Sequence, residues 1–118
     1  MQTVEELFNE VHQALLRYPY YLRYETISRG AHYGKFRLII SNDLFVQANR
    51  NETASLTNFA LIRGAQRIYG RDEYRGNWHR HPASAPERHD PSPEGSRPTT
   101  LTDFLAEVDA LLHTRGLV

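Results

Sequence analysis

A chain of 118 residues, 40% of them apolar, holds enough material for one domain built around one core. Its longest unbroken apolar run, Phe59-Ala60-Leu61-Ile62, is far too short to span a bilayer. The acidic start, Met1-Gln2-Thr3-Val4-Glu5-Glu6, lacks the apolar centre of a signal peptide. Cysteine is absent, which excludes disulfides and thiolate-bound zinc as supports of the fold. A cytoplasmic protein with no membrane association is expected. The net charge of zero conceals an uneven distribution: residues 1–16 and 89–118 each carry −3, and residues 17–88 carry +6. A basic centre between acidic ends attracts phosphate. Thirteen of the fourteen basic residues are arginines, the side chain suited to phosphate by its planar fork, although a GC-rich genome raises the arginine count equally well.

Thr3 to Leu16 reads as a helix. Thr3 and Glu6 form a capping-box pair, and Val4, Leu7, Phe8, Val11, Ala14 and Leu15 recur at helical spacing to make one apolar stripe. Pro19 ends it just after Tyr18. Five strands are then expected. Tyr20–Ile27 is rich in aromatic and β-branched residues, and Tyr33–Ile40 alternates, with Phe36, Leu38 and Ile40 opposite Lys35 and Arg37. Ser41-Asn42-Asp43 supplies a turn into Leu44–Asn49. Thr57–Arg63 joins Gln66–Asp72 through Gly64-Ala65. Such short connections predict an antiparallel meander rather than βαβ units.

Residues 73–100 hold five of the six prolines and little periodicity and read as a long loop. Its first half, with Trp78 and three histidines, is expected to be structured, and Asp90–Pro98, within the proline-rich stretch 82–100, to be a mobile linker. Thr99, Thr100 or Thr102 then caps a second amphipathic helix striped by Leu101, Phe104, Leu105, Val108, Leu111 and Leu112, with Gly116 as its stop. The predicted fold is a single α+β domain over 1–118: a five-stranded antiparallel meander with the N- and C-terminal helices packed on one face.

Two regions can carry chemistry. If Ile68 points inward, Arg67, Tyr69 and Arg71 line the open sheet face together with Lys35 and Arg37, and Trp78 is a further candidate for binding nucleic acid. Basic and aromatic side chains interleaved on a sheet hold phosphates and stack bases, and they also make an ordinary solvated face. The sharper signal is Trp78-His79-Arg80-His81-Pro82. Phosphodiester cleavage needs a base and an acid, and histidine serves as either near neutral pH. His79 and His81 share a face if the segment is extended, so one would deprotonate a 2′-hydroxyl and the other protonate the departing 5′-oxygen. Arg80 or Arg71 would neutralise charge on the phosphate. Asp72 would orient a histidine or cap the turn at Arg75-Gly76-Asn77.

The same atoms allow other readings. His79, His81 and His89, with Asp72 or Glu73, would ligate a divalent metal if the prolines fold His89 back. The histidines would otherwise be hydrogen-bonded members of a surface loop, with Trp78 as a packing anchor. No motif calls for a cofactor. Exposed strand edges predict a homodimer or pairing with a partner.

The stretch Phe59-Ala60-Leu61-Ile62, Gly64, Arg67-Ile68, Gly70, Asp72, Trp78-His79-Arg80-His81-Pro82, Pro86-Glu87 and His89, followed by an amphipathic helix, resembles the TumE-like family of toxins from toxin–antitoxin modules. The resemblance covers residues 56–112. This chain has Gly70-Arg71-Asp72-Glu73 where that family often shows an aromatic residue before Asp-Asn, and its proline-rich insertion after His89 is longer. The resemblance implies a small cytoplasmic toxin, directed at RNA, whose partner is a helix-turn-helix antitoxin. Its shared elements fall on Asp72, His79, Arg80 and His81. A non-catalytic module binding nucleic acid or protein, and a metal-dependent hydrolase, are the competing classes.

Overall fold

The computed structural model describes residues 2–118. Helix α1 spans Val4–Arg17, strands follow as β1 (Arg23–Arg29), β2 (Tyr33–Ile39), β3 (Leu44–Asn51), β4 (Leu56–Arg63), β5 (Gln66–Tyr74) and β6 (Asn77–His81), and α2 spans Leu101–Thr114. The strands form one sheet in the order β1-β2-β3-β4-β5-β6, each antiparallel to the next. The α+β class and the antiparallel meander agree with expectation. The number of strands does not, because Asn77–His81 pairs with β5 as a sixth strand instead of starting a loop. The hairpin between them turns on Arg75 and Gly76, at φ 51° and 83°. Two successive positive φ values are what a two-residue type I′ turn requires.

Both helices begin with capping boxes. The Thr3 hydroxyl accepts from the Glu6 amide while the Glu6 carboxylate accepts from the Thr3 amide, and Thr100 and Asp103 repeat the exchange in α2. Their apolar stripes meet one face of the sheet. Leu7 and Val11 of α1 join Phe104, Leu105 and Val108 of α2 in a core with Phe36, Leu38, Val46, Phe59 and Leu61. Among the described residues, no helix is long and apolar enough to cross a membrane.

One extra residue decides what the other face carries. Between β4 and β5 the register shifts, so Leu61 pairs with Tyr69 while Ile62 pairs with Arg67, and Ile68 is left over as a bulge. A one-residue slip exchanges the two faces of a strand. Tyr69, Arg71 and Glu73 therefore point toward the helices, and Arg67, Gly70 and Asp72 point away from them. The expectation that Tyr69 and Arg71 line the open face is corrected by this bulge. Tyr69 donates from its hydroxyl to Glu107 at 2.7 Å, and the Arg71 guanidinium is 0% exposed and bonded to the same carboxylate at 2.8 Å.

The proline-rich segment is tied down along its length, contrary to the mobile linker expected over Asp90–Pro98. Arg71 Nη1 donates to the carbonyls of Glu94 and Gly95 at 3.0 and 3.3 Å. Gly95 donates to the Ser92 hydroxyl and Ser96 to the Ser92 carbonyl.

Candidate functional site

The second shift of face follows from the first. In the β5–β6 register Asp72 opposes His79 and Gly70 opposes His81, whereas Arg71 opposes Arg80 and Glu73 opposes Trp78. Side chains alternate across a strand, so His79 and His81 stand on the open face with Asp72, and Trp78 and Arg80 stand on the helix face. Trp78 packs near Phe59, ring centroids 6.3 Å apart, as a core anchor. This placement corrects its expected part in binding nucleic acid and agrees with the packing anchor. Arg80 is likewise turned away from the histidines. Its Nε and Nη2 donate to Asp90 at 3.0 and 2.6 Å. Neither Arg80 nor Arg71 stands beside the imidazoles, so neither takes the expected role of phosphate donor there.

Asp90 is also what returns His89 to the site. Its backbone pairs with that of Arg80 in both directions, at 3.2 and 2.7 Å. Turns from Pro82 to Ala85 and from Ala85 to Arg88 fold the intervening chain. His89 thereby reaches the open face one residue before the bridge, its ring stacked on His79 with centroids 4.3 Å apart and 4.8 Å from His81. The Asp90 carboxyl is drawn from an ordinary 3.8 down to about 2, first by the Ser92 amide and hydroxyl and then by Arg80. A depressed carboxyl pKa adds stability above the unfolded value and loses it as pH falls toward the folded one. Amide-exchange protection at Arg80 and Asp90 is therefore expected to persist above pH 3.8 and to fade toward pH 2. In Asp90→Asn it should already be weakened at neutral pH, and unchanged protection there would break this account.

Asp72 is the hub of the site. Its Oδ2 accepts from Arg67 Nη1 at 2.8 Å and lies 3.0 Å from His81 Nε2 and 3.7 Å from His79 Nε2. With the Asn58 amide oriented to satisfy its neighbours, that side chain donates to Asp72 Oδ1 at 3.1 Å. Arg67 lies across Gly70, where a Cβ would meet its Cδ at 3.1 Å. Asp72 thus orients histidines rather than capping the Arg75-Gly76 turn, a task taken by Glu73, which accepts from the Gly76 amide at 2.8 Å. His81 is 7% exposed, and its Nδ1 lies 2.9 Å from the Pro86 carbonyl. A carbonyl only accepts, so Nδ1 carries a hydrogen, and because Nε2 faces the Asp72 carboxylate, that contact is a hydrogen bond only when Nε2 is protonated too. His79 is half-buried, and burial holds its imidazole below the usual range; Asp72 opposes this, and His89, His81 and Arg67 reinforce it. One ring nitrogen from each of His79, His81 and His89 lies within 4.8 Å of the others.

The rest of the open face leads away from this centre in two largely polar rows, flanked by an apolar row of Ile39, Phe45 and Ile62 that ends at Arg67. Cross-strand register sets Lys35 opposite Asn49, Asn49 opposite Asn58, Asn58 opposite Asp72 and Asp72 opposite His79. A second row runs Arg37, Gln47, Ala60, Gly70, His81. Lys35 and Arg37 keep the face expected of them, but four strand spacings, about 19 Å at the usual ~4.8 Å each, separate them from the histidines. Of the residues expected to bind nucleic acid, Arg67 alone stands at the cluster. A shallow groove beside it is lined by Gln66, Arg67, Ile68, Pro86 and Glu87. The Pro86 carbonyl and the Asn58 amide belong to the site without any sequence signal, since only the folded register brings them there.

Comparison with models of protein families, with curated proteins and with solved structures finds no match to this chain.

Proposed function

We propose that this protein is an RNA-directed toxin of a toxin–antitoxin module, and that it cleaves phosphodiester bonds at the centre formed by His79, His81, His89, Asp72 and Arg67. The carrying observation is the convergence of two imidazoles and a guanidinium on one carboxylate, with a third imidazole, His89, stacked on His79, at the end of an uncovered sheet face that also bears Lys35 and Arg37. Cleavage at phosphorus requires activation of the attacking oxygen and positive charge beside the developing anion. Imidazole lone pairs serve the first need, directly or through a bound ion. Arg67 serves the second, in place of Arg71 and Arg80. The two cross-strand rows support a short single strand laid across the sheet, with its backbone held at the far end by Lys35 and Arg37. The TumE-like resemblance points to the same class and to a helix-turn-helix antitoxin as the partner.

The test is purified protein with single-stranded RNA, supplied with zinc or with chelator, read as shortened products. Intact RNA under both conditions would overturn the ribonuclease reading. Salt-dependent binding without turnover would replace it with a binding module. Lys35→Ala and Arg37→Ala should weaken RNA binding and each lower the slope of log affinity against log salt by about 0.7, the value for one single-strand phosphate contact. An unchanged slope would remove these two residues from the path. Growth arrest on expression, relieved by a neighbouring helix-turn-helix protein, is the expected cellular result.

A further inference from the structure

We propose that His79, His81 and His89 bind one divalent transition-metal ion, best matched by zinc, with Asp72 beside the remaining coordination position. The inference concerns the same centre as the proposed cleavage but stands on ligand geometry alone, and it holds whatever the substrate. Three observations carry it. First, the three ring nitrogens lie within 4.8 Å of one another. Zinc–nitrogen bonds of about 2.0–2.1 Å place tetrahedral ligands about 3.4 Å apart, so closure requires the exposed His89 ring to turn out of its stack on His79 until its nitrogen points at the ion.

Second, the orientation of His81 is set from behind. Its Nδ1 donates to the Pro86 carbonyl at 2.9 Å, which turns Nε2 toward Asp72 Oδ2 beside the His79 and His89 rings, where an ion would take the place of an Nε2 proton. A metal-ligating histidine characteristically gives its other N–H to a carbonyl or carboxylate in this way. Third, the three rings have one carboxylate oxygen among them, and Asp72 Oδ2 is already engaged by Arg67. One shared cation would satisfy the three neighbouring ring nitrogens and the carboxylate together. That oxygen, 3.0 and 3.7 Å from the His81 and His79 nitrogens, is itself at the spacing of a fourth ligand, and the exposure of His89 would leave the ion open to solvent.

The donor set also selects among ions. Neutral imidazoles suit zinc, nickel and copper, whereas magnesium and calcium demand oxygen ligands. The lack of cysteine excludes competing thiolate sites.

The experiment loads chelator-stripped protein with zinc and measures bound metal by mass spectrometry, and affinity by competition with a chromophoric chelator. One zinc per chain is expected, with little affinity for magnesium. His81→Ala, His79→Ala and His89→Gln should each weaken binding at least tenfold, and Arg23→Ala, on the exposed far strand, should not. His89→Gln is the safeguard, because that ring is solvent-exposed and its loss leaves the core intact. Substoichiometric zinc in the wild type, or unchanged affinity in a folded His89→Gln, would overturn the site. One tightly held zinc with uncut RNA would leave the ion site standing and remove the ribonuclease. RNA cut by a protein that binds no zinc would do the reverse.

Discussion

Replacing Arg71 with alanine is expected to lower the unfolding free energy by about 3–5 kcal/mol, the cost of breaking a buried ion pair by removing one partner. A domain of this size has about 5–15 kcal/mol in all, so such a variant sits near the edge of folding. The guanidinium is wholly buried, and its five N–H groups are directed at Glu107, Glu94 and the Glu94 and Gly95 carbonyls. Its loss strands the Glu107 carboxylate, which keeps only Tyr69 and Arg97. It also frees the segment that leads into α2. Removing both members, as Arg71→Met with Glu107→Leu, should restore part of the loss, because no charge is then left unpaired. Urea unfolding monitored through Trp78 gives the measurement. A single-variant loss below about 1 kcal/mol would contradict a structural role. Arg71→Lys should destabilise less and leave zinc affinity unchanged, since this side chain lies on the opposite face from the histidines. A phosphate-binding arginine would behave the other way, sparing stability and costing activity.

That contrast marks where periodicity stops being informative. The capping pairs at Thr3–Glu6 and the stripe of Leu7 and Val11 are local, and both are legible in the chain because a helix writes its own spacing. β2 and β3 are legible for the same reason. β6 is not, although it alternates strictly: its inward positions are Trp78 and Arg80, and a hydrophobic pattern does not register an arginine neutralised by Asp90. The bulge at Ile68 leaves no compositional trace, yet it moves Arg71 from the solvent to the core and Asp72 from the core to the site. Histidine clustering was visible as residue types. The meeting of His89 with His79 depends on a pairing ten residues apart, Arg80 with Asp90, which no local rule supplies.

Asp72 carries the largest expected effect on chemistry. Asp72→Asn keeps the size and the bond from Arg67, but it removes the charge to which His81 and His79 turn. Loss of a group that orients metal ligands typically costs about 10–100-fold in metal affinity or activity. Loss of a proton acceptor costs about 10²–10⁴-fold in rate. If Asp72 only holds the rings in place, zinc affinity and RNA cleavage should fall together, and excess zinc should restore cleavage. If it also takes the proton of the attacking water, cleavage stays down by at least about 10²-fold at saturating zinc. The second outcome is expected, because Asn58 holds Oδ1 and Arg67 holds Oδ2 in place beside His81 Nε2. Arg67→Ala should give the milder result, a loss of cleavage with zinc affinity nearly intact, since that guanidinium touches the carboxylate and none of the rings. Cleavage by Asp72→Asn at the wild-type rate under saturating zinc would take the carboxylate out of the reaction, and native zinc affinity in the same variant would take it out of the site.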